Sequence, residues 1–389
     1  MTADFDRVIN RRGTGSLKHD GASRFGIPDD ALPMWVADMD FPAPLEAVEA
    51  ARRAAASGIY GYTIATKEYG EAAAAWHGKR YGWTIREDWI QRAPGVMYAI
   101  AAAVRAFTSK GDAVLAQEPV YHCFAQVVRL NGRRFVSSDL MLTDGRYEID
   151  FDDFERKVVL ERVRMFLLCH PHNPAGRAFS RDELERLGSI CLRHGVLVVS
   201  DEIHGDFVYK PREHIPFASV GPEFADRSIV MTAPSKTFNM AGLHAANVII
   251  PDAGLRARME AELTSAFTDE LSSGALAAAQ AAYEHGGPWL EELKEYIQSN
   301  CRALEYVLTE RIPAVRVQEL QATYLAWLDF RALGLPHEEM RERVWRTARV
   351  WLSDGLSFGE AGQGFMRMNL ACPRSIVMEA AGRLSRAFR

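Results

Sequence analysis

The chain has 389 residues, 48% hydrophobic and 25% charged, ordinary for a globular protein with room for two domains. Its net charge of −5, from 46 basic and 51 acidic residues without a basic run, excludes nucleic acid and anionic membrane surfaces as expected partners. The N-terminal stretch mixes charges without the apolar core of a signal peptide, and no apolar stretch is long enough to cross a bilayer.

The residues before about position 45 do not fit a strand–helix alternation and are expected to pack with the C-terminal part. A helical pattern runs from Val96 to about Ser109 and stops at Gly111, and the apolar run 113–116 follows as a strand. Residues 164–169 (RMFLLC) form a near-continuous apolar run, as expected for a strand buried on both faces. Ser180 and Glu183 form a capping box, and the helix they open runs to Gly195. Further strands are expected at 196–199, 229–231 and 246–250. This alternation implies right-handed crossovers and a mostly parallel α/β sheet covered by helices. After about residue 288 comes a helical segment, 289–310, and then the alternating stretches 324–329 and 366–370. The reading is an N-terminal segment (1–45), a large domain (46–287) and a smaller α+β domain (288–389). Five scattered cysteines without CxxC spacing read as free thiols of a reducing cytoplasm.

Open parallel sheets bind ligands beyond the carboxyl ends of their strands. Three consecutive strand ends here carry the polar sets 170–176 (HPHNPAG), 200–204 (SDEIH) and 234–237 (PSKT). Singly, each has a plain explanation: an Asn-Pro turn, a capping aspartate, a lysine that snorkels to the surface. The His170/His172 pair could suggest a metal, but the proline between them and the turn after them argue against one. Together the sets meet a more specific need. A desolvated lysine amine forms a Schiff base with an aldehyde. Pyridoxal phosphate requires such a lysine, and an acid beside its ring nitrogen. It also needs a donor for its ring hydroxyl, an aromatic face, and backbone amides for its phosphate. Lys236, Asp201, Asn173, Tyr121 and the helix start at Gly95, Val96 and Met97 could supply all five.

The sequence resembles the fold-type I pyridoxal-phosphate enzymes of aminotransferase class I/II, and within them the MalY/PatB-type cystathionine β-lyases, or cysteine-S-conjugate β-lyases. The resemblance runs nearly end to end through 35–42 (WVADMDFP), 61–63 (GYT), 94–96 (PGV), 118–121 (EPVY), 172–177 (HNPAGR), 200–204, 233–243 (APSKTFNMAGL), 324–329 (YLAWLD) and 365–372 (FMRMNLAC). It implies a large domain with a mostly parallel seven-stranded sheet, a smaller α+β domain, and a homodimer. It also implies that Lys236 carries the cofactor and removes the substrate Cα proton. Asp201 pairs with the ring nitrogen, Asn173 with the ring hydroxyl, and Tyr121 and Ile203 cover the two ring faces. The amides of Val96 and Met97 hold the phosphate, with Ser235 and His204 nearby, and Tyr62 reaches the phosphate of the neighbouring subunit. Tyr60 is the second candidate for that reach.

Arg367 lies on the face of 366–370 opposite Met366, Met368 and Leu370. It is either a solvent-facing arginine or, as the resemblance implies, a bidentate clamp on the substrate α-carboxylate. Trp35, Val36 and Ala37 then close over the same end of the substrate, Ala37 through its backbone. Two positions depart from many aminotransferases: His204 stands where they have tyrosine, and His244 where they have a phosphate-binding arginine. The residues themselves do not choose between β-elimination and transamination; the resemblance favours C–S β-elimination from cystathionine, cystine or S-substituted cysteines. An aminotransferase or a tailoring enzyme acting on an unusual cysteine conjugate is the alternative. A non-enzymatic cofactor-binding regulator is more remote, because the family-like motifs begin near residue 11 and leave no room for a DNA-binding module.

Overall fold

In the computed structural model, which describes residues 3–268 and 270–389, the run of apolar residues at 164–169 lies in a strand, Val163–Cys169. Its alternate side chains enter two different cores. Met165, Leu167 and Cys169 join one apolar cluster, and Phe166 and Leu168 join another. A strand with helices on both sides of its sheet has no solvent face, which is why the run is continuous rather than alternating.

The seven strands of this sheet are β1 (Ile90–Ala93), β2 (Ala113–Ala116), β3 (Arg134–Ser137), β4 (Val163–Cys169), β5 (Leu197–Asp201), β6 (Ser228–Thr232) and β7 (Ala246–Ile249). Their spatial order is β1-β7-β6-β5-β4-β2-β3. Neighbours from β6 to β3 are parallel, while β7 runs antiparallel to both β6 and β1. The expectation of successive parallel crossovers fails at β7. The connection from β6 holds only the short helical turns Pro234–Thr237 and Ala241–Leu243, not a full crossover helix.

The helices include α1 (Lys67–Tyr81), α2 (Val96–Phe107), α3 (Arg181–Arg193) and α4 (Gly287–Arg311). The capping box at α3 forms in both directions: Ser180 Oγ accepts from the Glu183 amide at 3.2 Å, and Glu183 Oε2 accepts from the Ser180 amide at 2.8 Å. Gly195 follows α3 at φ +66°, the left-handed conformation that a helix stop requires.

The C-terminal part carries an antiparallel sheet of β8 (Arg316–Val317), β9 (Leu325–Asp329), β10 (Ser353–Asp354) and β11 (Phe365–Asn369), in the order β8-β9-β11-β10. The N-terminal segment packs here. Leu32–Pro33 pairs in parallel with Val350–Trp351, and the Asn369 amide donates to the Met34 carbonyl at 2.8 Å. One apolar cluster takes Met34, Met39 and Phe41 together with Trp76 of α1, Leu290 of α4, and Met366 and Met368 of β11. The N-terminal segment therefore packs at once against α1, α4 and the C-terminal sheet. Among the described residues, no helix is long and apolar enough to cross a membrane.

Candidate active site

Register aligns the chemistry. Asp201 at the end of β5 lies opposite Cys169 of β4 and Met231 of β6. The three strand ends therefore lie side by side, with Asp201 closing β5 and the turns after β4 and β6 carrying Asn173 and Lys236.

Lys236 sits half-buried in the turn Pro234–Thr237, one residue after the half-buried Ser235. Its Nζ donates to the Ala37 carbonyl at 2.7 Å. Burial lowers the amine to about 8, against the pull of the Asp38 and Asp201 carboxylates and with help from Arg367. A neutral, nucleophilic fraction is thus present near physiological pH.

Asp201 is buried, and burial raises its carboxyl to about 7, although the Ile203 amide and Lys236 pull the other way. The Ile203 amide donates to Asp201 Oδ1 at 3.2 Å, and among the described residues no cation forms an ion pair with it. A carboxylate placed so deep without a counter-charge suits a cationic ring nitrogen. Ile203 lines the same region half-buried.

Helix α2 begins at Gly95, whose φ of +155° is a glycine conformation, and no side chain caps it. The first amides, Val96 and Met97, thus keep the donor capacity that suits an anion. His244 stands beside them, its Nδ1 donating to the Pro94 carbonyl at 3.2 Å. His204 is buried with its edge toward the Tyr324 ring, 5.9 Å away, and burial together with Lys236 and Arg367 lowers its imidazole to about 3. It is therefore neutral at physiological pH. The half-buried Tyr121 ring packs edge-on against His122 and Phe124, and burial raises its hydroxyl well above the usual tyrosine range.

Arg367 is 5% exposed, so the solvent-facing alternative is wrong. Its strand β11 lies between β9 and β10, and its alternate face looks into the molecule. Arg367 Nη1 donates to Asn173 Oδ1 at 2.8 Å, while Nη2 donates to the Trp35 carbonyl at 2.9 Å and to Ser353 Oγ at 3.2 Å. Burial lowers its guanidinium to about 10, which leaves it charged at neutral pH. The Phe358 ring packs 4.7 Å from it. Trp35 reaches this site through its carbonyl. Its indole stacks instead on Trp351, with centroids 4.4 Å apart.

The sequence had not assigned four residues that shape this space. Asn369 Nδ2 holds the Val36 and Asp38 carbonyls at 2.7 and 2.8 Å, and Tyr324 OH donates to the Ala37 carbonyl at 3.2 Å. Ser353 Oγ donates to the Trp35 carbonyl at 2.7 Å, and Asp38 is the first carboxylate to act on Lys236. Asp38 and Tyr324 lie inside motifs legible in the sequence, but nothing in those motifs said where they point. The covering segment is pinned from outside by charge. Asp40 accepts from Lys18 Nζ at 2.7 Å, from His19 at 2.9 Å and from Arg11 at 3.1 Å, and Arg11 also pairs with Asp38 at 2.9 Å. Burial alone would raise Asp40, yet Lys18 and His19 hold it down at about 2.

His170 and His172 are used separately, on the Ile215 and Gln117 carbonyls, both at 3.1 Å. Tyr62 stands apart from the cluster. It is 97% exposed, in the extended stretch between Leu45–Ala56 and α1, beside Ile59, Tyr60 and Ile64 at 76–84%.

Residues 32–384 match the aminotransferase class I and II family. The cystathionine β-lyase PatB of Bacillus subtilis is 44% identical over 386 residues, covering 99% of this chain and 100% of that protein. Cystalysin from Treponema denticola, whose structure contains pyridoxal 5′-phosphate, superposes with a TM-score of 0.96 at 35% identity, covering 100% of this chain and 99% of that one. A pyridoxal-phosphate-bound C–S lyase from Staphylococcus hominis gives a TM-score of 0.93 at 32% identity, covering 100% and 98%.

Proposed function

We propose that this chain, which belongs to the aminotransferase class I and II family, is a pyridoxal-phosphate-dependent C–S β-lyase. Its fold is that of the fold-type I enzymes. It releases a thiol, pyruvate and ammonia from cystathionine or an S-substituted cysteine. The observation that carries this reading is the convergence on one cleft of a lysine amine lowered to about 8, a buried carboxylate without an ion-pair partner among the described residues, and a buried guanidinium. The choice of elimination over transamination rests on the likeness to cystathionine β-lyase and C–S lyases.

Bound pyridoxal phosphate supplies an electron sink that stabilises negative charge at the substrate Cα. The protein does the rest. Lys236 would hold the cofactor aldehyde and, once the substrate amine has displaced it from that carbon, would be free as a neutral amine to take the Cα proton. Asp201 keeps a negative charge at the ring nitrogen, Asn173 meets the ring hydroxyl, and Tyr121 and Ile203 confine the ring faces. Val96 and Met97 donate to the phosphate from the helix start, with Ser235 and His204 beside the ring. Arg367 turns its fork to the α-carboxylate, and the backbone from Trp35 to Ala37 closes that end against water.

With cystathionine or an S-alkyl cysteine and no keto acid, purified enzyme is expected to yield pyruvate, ammonia and thiol in equal amounts. Turnover only after a keto acid is added would make it an aminotransferase.

The active unit is a cytoplasmic homodimer with Tyr62 reaching the partner's phosphate site. Support comes from the contiguous exposed apolar stretch around Tyr62, which calls for cover, and from the absence of disulfides among the described cysteines. Sedimentation velocity is expected to show a dimer, and Tyr62→Phe to loosen cofactor binding about 5- to 10-fold through loss of one hydroxyl. A catalytically active monomer would refute this arrangement.

A further inference from the structure

Asp206 lies in the turn Gly205–Phe207, five residues beyond Asp201, and is 7% exposed. Four donors from two other parts of the chain converge on it. Thr237 Oγ1 donates to Oδ2 at 2.6 Å, and Tyr81 OH donates to Oδ1 at 2.6 Å. Trp76 Nε1 is shared between both oxygens at 3.2 and 3.3 Å, and Arg80 Nε stands 3.4 Å from Oδ1. Three of these donors come from the end of α1. The fourth, Thr237, directly follows Lys236.

Besides anchoring α1, these contacts reach the turn that carries Lys236. β5 ends in Asp201 and the turn after it carries Asp206, the β6 turn carries Lys236 and Thr237, and the Asp206–Thr237 bond ties the two turns together. A carboxylate suits the place because both of its oxygens are needed as acceptors; an amide would turn a donor toward one set of donors. Thr237 is 2% exposed, and its β-branched side chain has few rotamers, so the bond fixes the backbone that carries Lys236.

We propose that Asp206 is a positioning residue for the reaction: acting through Thr237, it sets the reach of Lys236 relative to Asp201, and so the proton-transfer geometry rather than substrate affinity. The proposal rests on Lys236 being the lysine that holds the cofactor.

The test uses Thr237→Val, Thr237→Ser and Asp206→Asn holoenzymes. Thr237→Val is expected to lower kcat about 10- to 100-fold while leaving KM within about two-fold. It should also change the visible circular dichroism of bound pyridoxal phosphate, because the lysine presents the ring differently. Thr237→Ser, which keeps the hydroxyl, is expected to restore most of kcat and the wild-type spectrum. Asp206→Asn should resemble Thr237→Val if it folds; the threonine pair decides the matter if it does not. Wild-type kcat and an unchanged spectrum in Thr237→Val would overturn the proposal, leaving Asp206 as a fold contact. A wild-type protein with no visible cofactor band would instead refute the proposed function itself.

Discussion

Lys236→Ala is expected to lower kcat for β-elimination by about 10⁴-fold or more, because the proposed mechanism uses one amine both as cofactor anchor and as proton carrier. The fold should survive. Burial lowers the Lys236 amine from 10.5 to about 8, so the folded state disfavours the proton that the unfolded chain holds. Below about pH 8 the charged lysine therefore opposes folding, an effect that fades as pH rises toward the unfolded value. Alanine removes that opposition, so at pH 7 the cofactor-free variant's Tm should equal or exceed that of cofactor-free wild type. Pyruvate formation measured beside thermal unfolding separates the two effects. Residual turnover within about a hundred-fold of wild type would take Lys236 out of the role of base.

The second large effect is expected from Arg367→Lys. The guanidinium donates at once to Asn173, Trp35 and Ser353, and only a planar fork can serve a carboxylate bidentately. A lysine ammonium can satisfy one side of this set but not both. Loss of charge-assisted bonds worth about 3 kcal/mol corresponds to a fall of about 10²-fold in kcat/KM. Cofactor affinity should change by no more than about three-fold, since Arg367 would reach the ring only through its bond to Asn173. Spectroscopic titration with pyridoxal phosphate and steady-state kinetics on the same preparation make the comparison. Equal losses in both would move Arg367 away from the substrate.

Legibility followed sequence distance. Strands β2, β4, β5 and β6 stand out because a strand covered on both faces must be apolar throughout. β1 (Ile90–Ala93) and β3 (Arg134–Ser137) did not stand out. β1 holds Gln91 and Arg92, and β3 is an edge strand with half-exposed residues, so neither forms an apolar run. β7 was legible as a strand, but its antiparallel direction was not. Its residues are as apolar as those of a parallel strand, and only the short connection before it pointed to its direction.

The candidate site divides in the same way. Asn173, Asp201 and Lys236 each follow a recognisable strand within a few residues, so covalent connectivity carries them to one edge of the sheet. From the chain alone one could therefore read the α/β architecture, the cofactor class and a candidate lysine. What faces that edge depended on contacts between distant residues. Lys236 and Ala37 are 199 positions apart, and Arg367 and Trp35 are 332 apart. Local pattern could put Arg367 on one face of a strand, but only packing of the N-terminal segment against β11 made that face interior. The charge clasp of Arg11, Lys18 and Asp40, and the convergence of α1 on Asp206, likewise exist only in the folded chain. Burial, which moves Lys236 down and Asp201 up, is a property of surroundings rather than residue type, so tertiary structure alone decided it.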